Sequence, residues 1–261
     1  MEDQIILIDK PAGISSFGIV AKIRRELRDE FGHKIKVGHT GTLDPFATGL
    51  LILLSGKMTK KSNDFLKLDK EYVAELKLGF VSTTGDPEGE ITKVAFSKPG
   101  EVFSKKKPSD SPDFYNISPL ENSASEASIK NFSEAEDVVK MTPREYYPSL
   151  EKVTSVIKSF IGEIEQTPPK FSAIKINGQR AYKLARQNKD FEIPSRKVQI
   201  YSIEILEYNY PTLKIRCHVS SGTYIRTLAE DVGKKLGTGA YLTALRRTKI
   251  GNYDIKNARV I

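Results

Sequence analysis

Asp44 is the residue of this sequence best placed to do chemistry. It stands in "GHTGTLDPFATGLLILL", residues 38–54, among small turn-forming residues and ahead of a continuous apolar run. Pro45 biases Asp44 toward an extended backbone, while Gly41 and Gly49 permit tight turns and close backbone approach. Thr42 can hydrogen-bond locally. The carboxylate is therefore held on a short, rigid loop just before a buried strand, which is a way to present a charge into a cleft. A Leu-Asp-Pro corner could also carry an aspartate simply as a turn residue, and the pattern alone leaves both readings open. No second carboxylate stands beside it in sequence.

Other residue types suit a site around such a group. Arg226 follows "SGTY" at the start of a helical stretch and is flanked by apolar residues. An arginine in that position can turn inward to pair with a buried carboxylate, or lie exposed as most arginines do. Tyr72 shares one face of an alternating stretch with Ala74, Leu76 and Leu78, as a core tyrosine would too. His39, between Gly38 and Thr40, can stack on a nucleobase or be an ordinary surface histidine.

These residues need elements to position them. "IILI" at 5–8 reads as a buried strand. Ser15 or Ser16 can cap a helix whose apolar stripe is Phe17, Val20, Ile23, Leu27 and Phe31, with Gly32 as its stop. Leu50–Leu54 and residues 71–79 read as strands, and "TTGDPEGE" as a loop. Leu150, Val153, Ile157 and Phe160 mark a helix ended by Gly162. "QTPPKFSAIKINGQRAYKLAR" starts extended, turns at Asn177-Gly178 and becomes helical. Residues 212–219 alternate as a strand, and "SSGTYIRTLAEDVGKKLG" is a turn into a helix striped by Ile225, Leu228, Val232 and Leu236. The mixture predicts an α+β (mixed α/β) fold with a largely antiparallel, mixed central sheet flanked by helices and loops.

Composition narrows the function classes. A single cysteine excludes an intramolecular disulfide framework and a cysteine-cluster metal site. With three histidines and no suitably spaced carboxylates, no metal is expected. Gly-rich phosphate loops of the G-x-x-x-x-G-K or G-x-G-x-x-G kind are missing, so no nucleotide cofactor is indicated. There is no apolar run long enough to span a membrane and no secretory leader pattern, which predicts a cytoplasmic protein. The net charge of +8 is uneven: residues 1–96 are neutral, 97–149 carry −2 and 150–261 carry +10. A basic C-terminal half favours a polyanionic partner such as nucleic acid. Residues 97–149 are rich in serine and charge and poor in aliphatics, the composition of a flexible insertion.

Taken in order, these stretches resemble a known family. "GHTGTLDPFATGLL" is similar to the catalytic motif of the TruB family of pseudouridine synthases, and "DKPAGISS" to its N-terminal motif. "KEYVAELKLG" with "TTGDPEGE" resembles its second motif, and "QTPPKFSAIKINGQRAYKLAR" its thumb-like RNA-binding segment. "SSGTYIRTLAEDVGKKLG" and "AYLTALRRTKIG" resemble its last two, so the likeness spans about 200 residues in order.

The resemblance implies an enzyme that isomerises uridine to pseudouridine in the T-loop of tRNA, without cofactor or metal. Asp44 would be the catalytic carboxylate. Tyr72 would stack on the target base and assist proton removal at C5. Arg226 would pair with Asp44, lower its pKa and keep it ionised. His39 would help hold open the flipped-out loop, and Leu245 would line the pocket. Lys10, Lys175, Arg180 and Lys183 would lie near RNA. The reaction explains a lone carboxylate: the glycosidic bond breaks and re-forms at C5 of the same ring, whereas a glycosidase uses two carboxylates.

It further implies one catalytic domain in two parts, 1–96 and 150–261, around the 97–149 insertion. The C-terminal PUA domain of such enzymes is expected to be absent. The partner would be the T-loop and T-stem of tRNA, with no membrane and no obligate protein partner, and the protein a monomer. The alternatives are the catalytic subunit of a guide-RNA-directed synthase, or an RNA-binding tRNA-folding factor.

Overall fold

The computed structural model describes residues 2–94 and 147–261, apart from Ala173, Asn177 and Asn188. The serine-rich stretch anticipated at 97–149 lies outside the described residues, except for its last three positions. The first part runs β1 (Ile5–Lys10), α1 (Ser16–Phe31), β2 (Val37–His39), β3 (Thr48–Ser55), α2 (Ser62–Leu66), β4 (Lys70–Leu78), β5 (Phe80–Ser82) and β6 (Ile91–Lys93). The second runs α3 (Leu150–Lys158), β7 (Gly162–Gln166), β8 (Lys175–Ile176), β9 (Gln179–Arg180), α4 (Ala181–Arg186), β10 (Arg196–Asn209), β11 (Thr212–Val219), α5 (Ile225–Leu236), β12 (Ala240–Ile250), β13 (Tyr253–Asp254) and β14 (Arg259–Val260).

Ten strands form one mixed sheet in the order β14-β1-β3-β12-β4-β11-β10-β7, with β2 beside β3 and β13 beside β12. The contacts β1–β14 and β3–β12 are parallel and the others antiparallel. This is the mixed, largely antiparallel sheet expected from the sequence. Strand β4 explains itself: alternate residues Lys70, Tyr72, Ala74, Leu76 and Leu78 are buried and the others half-exposed. On β11, Leu213, Ile215, Cys217 and Val219 point into the same core, beneath Ile225, Leu228 and Val232 of α5 and Val153 and Ile157 of α3. A second core lies between α1 and the sheet, where Ile19, Val20, Ile23 and Leu27 meet Ile8, Leu51 and Leu53.

The α1 boundaries follow their local chemistry. Ser15 accepts a hydrogen bond from the Gly18 amide, and Gly32 adopts a left-handed φ of 77° while donating to the Arg28 carbonyl. One member of the anticipated stripe is corrected: Phe17 is 63% exposed, because the apolar face of α1 centres on Ile19, Val20 and Ile23. Leu150 is likewise exposed at the first turn of α3. Among the described residues no helix is long and apolar enough to cross a membrane.

Gly49 is required where it stands. Its φ is 106°, and an added Cβ would meet the Arg247 carbonyl oxygen at 2.3 Å and the Arg247 nitrogen at 2.7 Å. Here the parallel β3–β12 pairing brings two backbones together directly after the Asp44 loop. Gly49→Ala is expected to cost more than about 2 kcal/mol, from left-handed strain plus a backbone clash. Urea unfolding monitored by circular dichroism measures this; an unchanged midpoint would show that the strands can part without cost.

Candidate active site

The Asp44 loop is pinned by three elements that surround it. From β1, the Lys10 ammonium donates to the carbonyls of Pro11, Ile14 and Pro45 at 2.8, 2.7 and 3.2 Å. From α1, Ser16 Oγ donates to the Leu43 carbonyl at 2.9 Å and accepts from the Leu43 amide at 2.8 Å. From β12, Arg247 donates to the carbonyls of Gly41 and Leu50, one on each side of Asp44. Both Lys10 and Arg247 are shut off from solvent. The Lys10 ammonium thus faces backbone carbonyls in the interior, against the Asp44 loop. Burial brings the Lys10 pKa down to about 8, against the pull of Asp44.

Arg226 is the hub of the site. It lies in the first turn of α5, whose entry is fixed by Gln166 at the end of β7. The Gln166 side chain donates to the Tyr224 carbonyl at 3.0 Å and accepts from the Tyr224 amide at 2.8 Å. From there Arg226 Nε meets Asp44 Oδ2 at 3.1 Å and Nη1 meets Asp86 Oδ2 at 3.1 Å. Nη1 also donates to the Thr84 carbonyl and Nη2 to the Phe171 carbonyl. One guanidinium thus serves two carboxylates and two backbone segments, which its planar fork of donors allows and a lysine would not.

Asp86 is the residue that sequence reasoning missed. It belongs to "TTGDPEGE", which reads only as a loop of turn formers, yet its side chain is 4% exposed. It accepts from Thr84 Oγ1 at 2.5 Å and from the Glu88 amide at 3.0 Å. The signal available was an acid inside a tight turn, which any exposed loop would show equally. The solitude of Asp44 is consequently a property of the sequence and not of the site: Asp86 and Glu88 border the same cleft of about 220 Å³, together with Thr42, Tyr182 and Arg226. Asp86 is saturated by its partners, whereas Asp44 is 35% exposed and faces the opening. Among the described residues no group of His, Cys, Asp and Glu side chains is arranged to hold a metal ion.

The electrostatics add burial to the expected pull of Arg226. Arg226 does pull the Asp44 pKa down, as do Lys10 and Arg247, but burial outweighs them and Asp86 adds to it. The net displacement is upward from the ordinary value of 3.8. The same causes, burial first, raise Glu88. For Asp44 the sign is direct: the carboxylate form is disfavoured, so the ionised fraction falls as pH drops through a value above 3.8. Any activity that needs ionised Asp44 should show an acid limb in kcat/KM above the limb of an unperturbed aspartate. Arg226→Gln should move that limb to still higher pH, because it removes the largest downward pull. A limb unmoved by the substitution would show that another group sets it.

The remaining candidates fall into two sets. Tyr72 and Leu245 are buried and pack in one core cluster with Leu43 and Ala47, which flank Asp44. Neither borders the open cleft. Burial raises the Tyr72 hydroxyl pKa, opposed by Arg247 beside it. His39 ends β2 half-buried, its Nδ1 enclosed without a hydrogen-bond partner. Burial, and then Arg247, lower its pKa from the ordinary 6.5, which favours the neutral ring. Lys175, Arg180 and Lys183 stand exposed on the β8–β9 hairpin and α4, whose Tyr182 and Arg186 wall the cleft.

A sheet that carries a carboxylate loop clamped by a buried arginine finds its counterpart in one family. Residues 28–107 and 125–225 match the model described as "TruB family pseudouridylate synthase (N terminal domain)", and residues 226–261 match "tRNA pseudouridylate synthase B C-terminal domain". The chain belongs to the TruB family of pseudouridylate synthases. Among relatives, it is 38% identical over 256 residues to the tRNA pseudouridine synthase B of Endomicrobium trichonymphae, covering 98% of this chain and 88% of that one. To the protein of the same name from Phocaeicola vulgatus it is 37% identical over 257 residues, covering 98% and 89%. Among solved structures, it is similar to a chain of a Cbf5-Nop10-Gar1 complex, at 26% identity and a TM-score of 0.59, covering 100% of this chain and 52% of that one. A chain of an archaeal box H/ACA sRNP Nop10-Cbf5 complex gives 25% identity and a TM-score of 0.57, covering 99% and 51%. This chain spans about half the length of those two chains.

Proposed function

We propose that this protein isomerises a uridine of tRNA, in the T-loop, to pseudouridine, with Asp44 as the catalytic carboxylate. The observation that carries the reading is Asp44 itself: half-open to a cleft, pinned by Lys10, Ser16 and Arg247, and held by Arg226 at 3.1 Å. The family membership and the relatives' shared name supply the reaction class.

In this reading Asp44 attacks C1′ and displaces N1, or removes a proton from C2′ as the N1–C1′ bond breaks to give a glycal; the geometry serves either. The freed base turns over and C5 bonds to C1′, breaking the Asp44–C1′ bond in the first route or with return of the proton to C2′ in the second; C5 then loses its proton and N1 gains one. Nothing enters or departs but protons, so the site must keep water out. Asp86 fixes Arg226, and Arg226 fixes Asp44. The target base must leave its stack to reach this cleft. Tyr72, in the core cluster with Leu43 and Ala47 beside the Asp44 loop, is the proposed stacking surface for that base. Neutral His39 suits stacking in the loop that is held open. Exposed Lys175, Arg180 and Lys183 suit phosphate contacts, whose signature is salt-dependent binding.

The likeness to Cbf5 chains of H/ACA complexes favours a second reading, a synthase that needs a guide RNA. Tritium release decides between the two. Purified protein is incubated with a tRNA transcript labelled at uridine C5, with chelator and without other RNA. The proposal expects release of one equivalent of tritium per tRNA; no release without guide RNA would overturn it.

A further inference from the structure

The exposed ring of Phe17 is unaccounted for by the core or by the Asp44 site. Among the described large hydrophobic side chains only Val260 is more exposed. Phe17 opens the first turn of α1, and its neighbour Ser16 is bonded in both directions to Leu43, the residue before Asp44. The Gly13 amide donates to the Pro45 carbonyl at 2.8 Å, so the entry to α1 is joined to the Asp44 loop on both sides of the carboxylate. The ring is not a loose hydrophobe. The Arg24 guanidinium carbon lies 5.6 Å from its centroid, and Arg24 is held in turn by donating to the Val37 carbonyl at 2.7 Å. Val37 begins β2, the strand that ends at His39. Arg24 and Arg25 are both exposed, and among the described residues neither carries an ion pair. An exposed aromatic face beside a guanidinium tethered to a backbone carbonyl, with open positive charge next to it, matches an unpaired nucleobase next to its phosphate.

We infer that Phe17, backed by Arg24, is a stacking platform for an unpaired base of the substrate RNA, outside the base that reacts. The inference rests on the tRNA reading above and adds a binding subsite to it. A platform of this kind contributes to holding the RNA and not to the bond changes. It should therefore appear in Kd and KM and leave kcat alone. Because Phe17 is exposed, its replacement should leave the fold intact.

The test measures binding of a fluorescent, unmodified T-arm stem-loop and tritium release from the C5-labelled tRNA, with Phe17→Ala, Phe17→Leu and Phe17→Trp beside the parent. Phe17→Ala and Phe17→Leu should each raise Kd and KM about tenfold, the effect of losing one stacked base. Phe17→Trp should stay within about twofold of the parent, and kcat at saturation should be unchanged in all three. Scanning the loop with single abasic nucleotides should find one position whose loss weakens the parent by a similar factor but adds nothing to Phe17→Ala. Leucine as good as phenylalanine, or Phe17→Ala binding like the parent while the parent turns over, would overturn the platform and leave the enzyme reading standing. A parent that neither binds nor releases tritium would overturn both.

Discussion

Asp44→Asn should abolish turnover while leaving tRNA binding within about twofold of the parent. Asparagine keeps the size and polarity of the side chain but can neither attack a sugar carbon nor take its proton. Loss of the group that makes or breaks the bond costs about 10⁴-fold or more in kcat when no neighbour can substitute. The neighbours are known here. Asp86 is closed off by Arg226, Thr84 and the Glu88 amide. Glu88 borders the cleft but is not tied to Arg226 by an ion pair among the described contacts. If Glu88 replaced Asp44, the loss would shrink to a few hundredfold, and Asp44→Asn with Glu88→Gln would restore the full effect. Binding should persist because the loop is held by Lys10, Ser16 and Arg247, none of which bonds the Asp44 carboxylate.

Arg226→Gln should have the second largest effect, and it should act on both activity and stability. Its guanidinium is the partner of Asp44 and Asp86 and ties the Thr84 and Phe171 carbonyls together. Removing one member of a buried pair leaves an uncompensated charge, which typically costs about 3–5 kcal/mol. Asp86, with 4% of its side chain exposed, is the charge left behind. Activity should fall about 10²- to 10³-fold, the usual effect of losing a preorganised charged donor. The stability loss should ease as the pH is lowered and the Asp44 carboxylate, raised by burial, takes up a proton, and chemical unfolding at several pH values reads this directly. Arg226→Lys tests the geometry against the charge. It keeps the charge but cannot span both carboxylates, so it should recover part of the stability and little of the rate. Full recovery by lysine would mean that the bridging geometry is irrelevant.

The Asp44 loop was legible because its information is local. Pro45, Gly41 and Gly49 state where the chain must turn, and the apolar run after them states that a buried strand follows. Strand β4 and helix α5 were legible for the same reason, since their periods of two and 3.6 survive intact. Strands β10 and β12 were not, because register shifts interrupt their alternation between Ile200 and Ser202, Ile205 and Glu207, and Leu242 and Ala244. Charge was legible and its burial was not. Lys10 and Arg247 look like cations for a polyanion, yet both lie inside, hydrogen-bonded to backbone carbonyls in and around the loop they support. Asp86 is the converse case: nothing near it in sequence announces that a distant arginine will enclose it. For Asp44 the downward pull of Arg226 could be anticipated, but the extent of burial that opposes it could not. Phe17 fits the apolar spacing of α1 and still falls outside its buried face, which centres on Ile19, Val20 and Ile23.

The central claim is that Asp44, on its pinned loop, converts one uridine of tRNA to pseudouridine. The most direct measurement is nucleotide-resolved mapping of pseudouridine in an unmodified tRNA transcript, after incubation with saturating parent protein or with Asp44→Asn and no other RNA. The account predicts pseudouridine at one uridine, in the T-loop, with the parent, and none with Asp44→Asn even though that variant binds the tRNA. Pseudouridine formed by Asp44→Asn at the parent's rate, or an unmodified T-loop with the parent, would contradict it.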